Sequence, residues 1–151
     1  MTTIFTKSIP TEATYSLRDT VMKQGKRATK PGDDAPDTLH AGTYQGDALV
    51  AIASIYHEAP PDSDEKNVWR LRGMASLESV RGQGYGKVTL LFCLDYIARQ
   101  GGIRIWCNAR EGAVGFYKNL GFHVKGDRFI SADGIPHYFM WRDIAPDSSS
   151  D

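Results

Sequence analysis

Apolar and polar positions along the first part of the chain predict a strand, a helix and a loop. Residues 4–9 are typical of a short strand. The apolar positions that then recur at intervals of four residues are Ala13, Leu17 and Val21. This spacing predicts a helix that begins near Pro10 and ends at Gly25. Residues 26–37 are rich in Gly, Pro, Asp and Lys without an apolar period, which favours a loop.

The next part of the chain is typical of three strands. Two runs of strand-forming residues within 39–56 flank the turn pair Gly46-Asp47, which predicts an antiparallel hairpin. Residues 57–66 contain two consecutive prolines and several acids, and we expect a long solvent-facing connection with no chemical role. A further strand is predicted at about residues 67–77.

The second half of the chain begins with a glycine-rich turn, residues 81–87, followed by a helix. The apolar residues on one face of that helix are Leu90, Leu91, Leu94, Ile97 and Ala98. A strand at 103–107 and a second helix follow, and the second helix is expected to end at Gly121. Strands are predicted at 122–130 and 135–141, joined by the turn Ala132-Asp133-Gly134.

This order of elements requires a mixed sheet and places the chain in the α/β class. The helices between strands 67–77, 103–107 and 122–130 require parallel pairing there, whereas the hairpins require antiparallel pairing. A chain of this length holds one ordinary hydrophobic core. We therefore expect a single domain over residues 1–144 and a disordered tail at 145–151.

Charge and composition exclude several classes of protein. Eighteen Lys and Arg residues balance eighteen Asp and Glu residues, so the chain lacks the positive field that attracts nucleic acid or an acidic membrane. No stretch resembles a secretion signal or a membrane span, so we expect a cytoplasmic protein. Cys93 and Cys107 show no metal-ligand spacing, and neither do the four histidines, so we expect no disulfide and no metal.

The glycine turn carries the strongest chemical signal. Three alternate glycines, Gly82, Gly84 and Gly86, let the backbone approach a ligand closely. The N-terminus of the following helix adds outward-facing amides and a positive dipole end, which suit a diphosphate. Arg81 and Lys87 add positive charge. The alternative is that the turn only connects a strand to a helix.

The spacing of this turn differs from that of other phosphate-binding loops. It matches neither the dinucleotide fingerprint nor the nucleotide P-loop, for which Thr89 comes too late. Instead, Arg81-x-x-Gly84-x-Gly86 resembles the first signature of the GNAT superfamily of N-acetyltransferases. A second motif of that superfamily is similar to Ala113-Val-Gly-Phe116-Tyr117-x-x-x-Gly121-Phe122. The resemblance covers nearly the whole chain, residues 4–144.

The resemblance implies a fold and a cosubstrate. The implied fold is the GNAT acyl-CoA N-acyltransferase fold, a mixed, mostly antiparallel sheet whose parallel fourth and fifth strands splay apart, with flanking helices. The implied cosubstrate is acetyl-CoA, with its thioester in the gap between those strands. A bulge before the glycine turn would run along the pantetheine arm at Met74, Ala75 and Ser76. The diphosphate would lie on the amides of Gly82, Gly84, Gly86 and Lys87.

The resemblance also implies catalytic roles. A backbone N–H near Ala75 would stabilise the negative charge on the carbonyl oxygen, and Tyr117 would protonate the coenzyme thiolate. The alternative for Tyr117 is an amphipathic core tyrosine at helical spacing with Phe116. Asn108 would contact the pantetheine or, alternatively, cap a helix beginning near Glu111.

The general base is not transferred by the resemblance, because the fourth strand carries Arg70 and Arg72 where family members often carry a glutamate. Glu78 and His137 are the remaining candidates. Each has an ordinary alternative as a solvated surface residue, and an ordered water relay is a further possibility.

Taken together, these features predict an N-acetyltransferase that moves acetyl from acetyl-CoA to a primary amine by direct attack. The acceptor would be a small-molecule or peptide amine, and a homodimer is the assembly we consider. The first alternative is a non-catalytic acyl-CoA sensor of the same fold, and the second is a thiol enzyme using Cys107. The acidic residues Asp33, Asp34 and Asp37 would either attract a cationic amine or form a solvated loop.

Overall fold

A computed structural model describes residues 3–22 and 29–145 of the chain. The predicted helix end at Gly25 and residues 146–151 of the predicted tail lie outside the described residues. The chain forms two compact units: Met1–His57 with Leu71–Tyr96, and Glu58–Arg70 with Ile97–Asp151. The strand β4 contributes its first residues to the second unit and its remaining residues to the first.

The first unit combines an antiparallel sheet with helices. Its elements are β1 (Ile4–Ser8), α1 (Thr11–Met22), β2 (Leu39–Gln45), β3 (Ala48–Tyr56), the later part of β4 (Val68–Ser76) and most of α2 (Tyr85–Arg99). The strand order is β1-β2-β3-β4, and both β1 with β2 and β2 with β3 pair antiparallel. The predicted hairpin is confirmed, with Gly46 at φ +61° in its turn.

The core of the first unit forms because α1 turns one apolar face to the sheet. Leu17 is buried in a cluster with Ile9, Ile52 and Ala75, and Ala13 packs against the same cluster. These residues share one side of α1 because positions four apart lie above one another on a helix. The predicted helical spacing of Ala13 and Leu17 is therefore confirmed.

The second unit is built on the strands of the second half of the chain. Its elements are the start of β4, β5 (Arg104–Arg110), α3 (Val114–Asn119), β6 (His123–Val124), β7 (Phe129–Ile130) and β8 (Pro136–Asp143). The strand order is β4-β5-β8-β6, and β7 pairs with β8. The parallel register joins Val68–Arg70 to Arg104–Trp106, so the predicted parallel pairing of the fourth and fifth strands is confirmed. The sheet is mixed, since β8 pairs antiparallel with β5, β6 and β7.

One predicted pairing is wrong. The order of elements suggested that strand 122–130 would pair with the strand before it, but β8 lies between β5 and β6. The predicted strand also divides into the short strands β6 and β7, with Gly126 at φ +86° between them. A left-handed residue breaks an extended strand. The eight-residue β8 therefore takes the place beside β5. Within the described residues, no helix has both the length and the apolar composition of a membrane span.

Candidate functional site

The glycine turn joins β4 to α2 in the first unit. A 3₁₀ turn at Glu78–Val80 leads into it, and Gly82 and Gly84 have φ angles of +80° and +87°. Glycine adopts such angles without the steric cost of a Cβ, which explains why both positions hold glycine. The amide of Val88 donates to the carbonyl oxygen of Gly84 at 3.1 Å, which starts the α2 ladder. The amides just before Val88 therefore have no acceptor inside the helix and point out of its N-terminus.

The turn is open to a ligand. Arg81, Gly82, Gly84 and Lys87 are exposed, and a Cβ built on either glycine would meet no atom within 4 Å. Outward amides and the positive end of the helix dipole attract anions. Arg81 and Lys87 strengthen this attraction. The donor set therefore fits a diphosphate group.

Tyr85 and Thr89 attach the turn to the core of the first unit. Tyr85 is buried in a cluster with Val50, and its hydroxyl oxygen lies 3.1 Å from Nε2 of Gln45. The hydroxyl of Thr89 donates to the carbonyl oxygen of Tyr85 at 2.7 Å and lies 2.6 Å from the hydroxyl of Thr43. Because Thr89 is fully buried, it holds the helix in place and does not face a ligand.

The strand before the turn is irregular at Gly73. Its φ is +64°, which is typical of a β-bulge, and a Cβ there would lie 3.3 Å from Nε of Arg18. The three residues assigned to the pantetheine arm follow directly. Ala75 is buried in the core, whereas Met74 and Ser76 are half-buried.

A buried polar cluster fixes the segment around Asp33 to the first unit. The carboxylate of Asp33 accepts hydrogen bonds from Arg18 at 2.8 and 3.0 Å and from the hydroxyl of Tyr56 at 2.6 Å. Arg18 also donates to the hydroxyl of Ser54 at 3.0 Å, and Nδ1 of His40 lies 2.7 Å from the same oxygen. Burial alone would raise the pKa of Asp33, but these hydrogen bonds outweigh it and lower the pKa to about 2. The interpretation of Asp33 as a solvated acid is therefore wrong.

Tyr117 is the central aromatic residue of α3 in the second unit. Its side chain is 7% exposed, and its ring lies 5.2 Å from the rings of both Phe116 and Phe122. Burial raises the pKa of Tyr117 strongly, and the nearby thiol of Cys107 raises it further. The phenol is therefore protonated, and its raised pKa makes it a weaker acid than a solvent-exposed tyrosine.

Asn108 lies inside β5 and is exposed. The interpretation of Asn108 as a helix cap is wrong. Arg110 precedes the 3₁₀ turn Glu111–Ala113, and Ala113 precedes α3, and neither turn nor helix has a side-chain cap. The strand extends three residues further than the sequence predicted, because residues up to Arg110 pair with β8.

The two candidate bases have different surroundings. Glu78 is exposed at the start of the 3₁₀ turn. His137 is half-buried in β8 and stacks on Phe129, with ring centroids 5.7 Å apart. Its Nδ1 lies 2.8 Å from the carbonyl oxygen of Ile135, which can only accept a hydrogen bond. Nδ1 therefore carries the proton, and Nε2 of the neutral ring keeps a lone pair.

The predicted site residues divide between the two units. Residues 73–76, the glycine turn and Glu78 belong to the first unit, whereas Asn108, Tyr117 and His137 belong to the second. Sequence reasoning missed the Asp33 cluster, because its members are far apart in the chain. The one sign of this cluster in the sequence is an arginine on the same helix face as apolar residues.

Neither cysteine has the surroundings of a nucleophile. Burial raises the pKa of Cys93 to about 12. Burial also raises the pKa of Cys107 to about 12, although Arg70 lowers it slightly. Such thiols are unreactive near neutral pH. Among the described residues, no group of three or more His, Cys, Asp or Glu side chains could hold a metal ion.

Comparison of the sequence with known proteins identifies the family that the two motifs resemble. The model of the acetyltransferase (GNAT) family matches residues 6–122. An uncharacterized N-acetyltransferase, YitI of Bacillus subtilis strain 168, is 32% identical over 141 residues, which cover 91% of this chain and 95% of YitI.

Solved structures share the fold at lower identity. An aminoglycoside 6'-N-acetyltransferase complexed with coenzyme A is 14% identical, with a TM-score of 0.74 over 94% of this chain and 98% of that one. The ribosomal-protein-S18-alanine N-acetyltransferase from Escherichia coli is 18% identical, with a TM-score of 0.72 over 97% of this chain and 98% of that one.

Proposed function

Because the chain belongs to the acetyltransferase (GNAT) family, we propose that it transfers acetyl from acetyl-CoA directly to a primary amine. The observation that carries this proposal is the open pair of left-handed glycines, Gly82 and Gly84, at the N-terminus of α2.

The first role of the chain is to hold the coenzyme. The amides of Gly82, Gly84, Gly86 and Lys87 would bind the diphosphate, and the charge of Arg81 would add to the attraction. The backbone of residues 74–76 would run beside the pantetheine arm. Asn108, an exposed strand residue that caps no helix, would contact the same arm with its side-chain amide. The structure of a distant relative complexed with coenzyme A supports this ligand class.

The second role is to stabilise charge and supply a proton. Acetyl-CoA supplies an activated acetyl thioester. As the amine nitrogen bonds to the carbonyl carbon and the carbon–sulfur bond breaks, the sulfur leaves with the electron pair of that bond. Tyr117 would give its phenolic proton to this sulfur, and a backbone amide near Ala75 would stabilise the carbonyl oxygen. Solvent then restores the proton of Tyr117.

The third role is to remove a proton from the amine. His137 is the better supported candidate, because its Nε2 has a lone pair while Nδ1 is held by Ile135. Glu78 is the second candidate.

Arginines occupy β4 where an acidic base is often found. Arg70 donates to the carboxylate of Glu58 at 2.9 Å and lies over the ring of Trp106, and Arg72 lies over the ring of Tyr56. A guanidinium group has no acceptor atom and cannot serve as a base in a protein. A base supplied by the chain would therefore have to lie outside β4.

The experiment is to incubate the protein with acetyl-CoA and pools of amines, and to measure the release of free coenzyme A thiol. Release that depends on one pool, with acetylated amine found by mass spectrometry, supports the proposal. Tight acetyl-CoA binding without release by any amine pool would favour the acyl-CoA sensor instead.

A further inference from the structure

The second unit contains a groove of about 1060 Å³ whose lining includes no residue of the glycine turn. Its floor is formed by strand residues and its side by the connection between β3 and β4. The floor includes Trp106, His123, Phe139 and Trp141, and the side includes Pro61 and Asp62. From the sequence we expected no chemical role for this connection, and the groove was not predicted.

The floor of the groove is aromatic. Trp106 pairs with Trp141 across β5 and β8, and the rings of Trp106 and Phe139 are stacked with centroids 5.5 Å apart. The ring of His123 lies 5.0 Å from that of Trp141. Phe139 and Trp141 share a face of β8 because they are two residues apart, and both are only half-buried. Trp106 is buried, so Phe139 and Trp141 are the rings that offer a surface for another flat ring.

The side of the groove is held in place by hydrogen bonds at both ends of the connection. At one end, the indole N–H of Trp106 donates to the carbonyl oxygen of Glu58 at 2.9 Å. At the other end, Arg104 donates to both carboxylate oxygens of Glu65 at 2.8 Å. Between them Asp62 has a φ of +67°, an uncommon conformation for a residue other than glycine. The groove is therefore a fixed cavity with a carboxylate at its rim.

The charges that line the groove favour a cation over an anion. Asp62, Glu65 and Asp143 face it together with Arg104 and Lys125, which leaves an excess of negative charge. Arg104 already binds both Glu65 and Asp143, at 2.8 and 3.0 Å. Lys125 is the cation that remains for a ligand carboxylate, whereas a ligand ammonium group reduces the net negative charge of the lining.

We propose that this groove binds a flat aromatic ring that carries a protonated amine on a short alkyl arm. The ring lies against Phe139 and Trp141, and the ammonium group lies near Asp62. The proposal concerns binding to the second unit and does not depend on acetyl transfer.

The test is calorimetric titration of the full chain, without acetyl-CoA, with three matched ligands. Phenethylamine has both required features, 2-cyclohexylethylamine keeps the charge but lacks the flat ring, and 3-phenylpropionate keeps the ring but reverses the charge. We expect phenethylamine to bind about fivefold tighter than either analogue, since one aromatic contact contributes roughly 1 kcal/mol. Equal affinities, no binding, or tighter binding of 3-phenylpropionate would overturn the proposal.

Two variants assign the binding to this groove. Trp141→Leu removes a ring from the floor and is expected to weaken phenethylamine binding at least about fivefold. Asp62→Gly removes the carboxylate, so the preference for phenethylamine over 3-phenylpropionate should fall. Glycine also adopts the left-handed conformation of this position more easily than aspartate does, so the variant should still fold. Asp64→Gly is the matched control, because Asp64 lies on the same connection outside the lining of the groove. If Asp62→Gly binds all three ligands as the wild type does, the proposal is wrong, even if Trp141→Leu does not fold.

Discussion

Arg18 and Asp33 form a bidentate ion pair inside the first unit, with N–O distances of 2.8 and 3.0 Å. Their side chains are 0% and 5% exposed. A guanidinium group buried to this extent would be costly without a carboxylate in the right plane. The pair therefore ties α1 to the segment that carries Asp33, on the side of β4 where Gly73 approaches Arg18.

The first prediction concerns the contribution of this ion pair to the stability of the protein. Asp33→Asn removes the negative charge and leaves the guanidinium of Arg18 buried without compensation. We expect the free energy of unfolding to fall by about 3–5 kcal/mol, measured by urea denaturation. Asp19→Asn, an exposed position beside Arg18 on α1, is the control and should unfold like the wild type. Equal midpoints for the two variants would show that the pair contributes nothing.

The second prediction is a pH dependence of stability. The pKa of Asp33 is lowered from 3.8 to about 2 in the folded chain. A lowered pKa means that the folded state prefers the charged carboxylate, so this stabilisation is fully present above about pH 4. It should be lost as the pH falls from about 4 through about 2. Urea midpoints of the wild type should decrease over this range more steeply than those of Asp33→Asn. If the midpoints of both proteins fall equally with pH, the pKa of Asp33 is not lowered in the folded chain.

The third prediction concerns the thiols. Because burial raises the pKa of Cys93 and Cys107 to about 12, neither should react with iodoacetamide in the native protein at about pH 8. Mass spectrometry should find both labelled only after denaturation. Rapid labelling of native Cys107 together with loss of acetyl transfer would restore the thiol mechanism that we rejected.

The fourth prediction tests the acid. Tyr117→Phe keeps the ring and removes the proton, so coenzyme A affinity should stay unchanged while kcat falls by about 100-fold or more. Tyr44→Phe is the control, because Tyr44 lies in β2 and stacks on Phe5. Unchanged turnover of Tyr117→Phe across the pH range would leave Tyr117 as a packing residue between Phe116 and Phe122.

Local sequence patterns predicted the parts of the fold that depend on neighbouring residues. The hairpin at Gly46 and the turn at Gly82 and Gly84 could be predicted, because their left-handed angles require glycine and their positions follow from the flanking apolar runs. The position of β8 between β5 and β6 could not be predicted, because these strands are far apart in the chain. Several strand orders are compatible with the same alternation of apolar and polar residues.

Long-range polar contacts escaped prediction for the same reason. Asp33 has the surroundings of a loop acid in the sequence, and only the fold brings Arg18 and Tyr56 to it. The aromatic floor of the groove could not be predicted either, because Trp106 and Trp141 belong to separate strands and meet only through the register of β5 and β8. The motifs of the coenzyme site were visible because each lies within a few consecutive residues.

The central claim is that main-chain amides between residues 82 and 87 bind the diphosphate of the coenzyme, and calorimetric titration of coenzyme A into two glycine variants tests it most directly. Gly84→Glu places a carboxylate at the amides, and Gly101→Glu is matched to it, because both glycines are left-handed, at φ +87° and +78°, with no atom within 4 Å of the added Cβ. Both variants bear the same backbone strain, so a difference between them reports the charge at the turn. We predict that coenzyme A binds the wild type and Gly101→Glu alike and does not bind Gly84→Glu. Binding of equal affinity by Gly84→Glu would contradict the account.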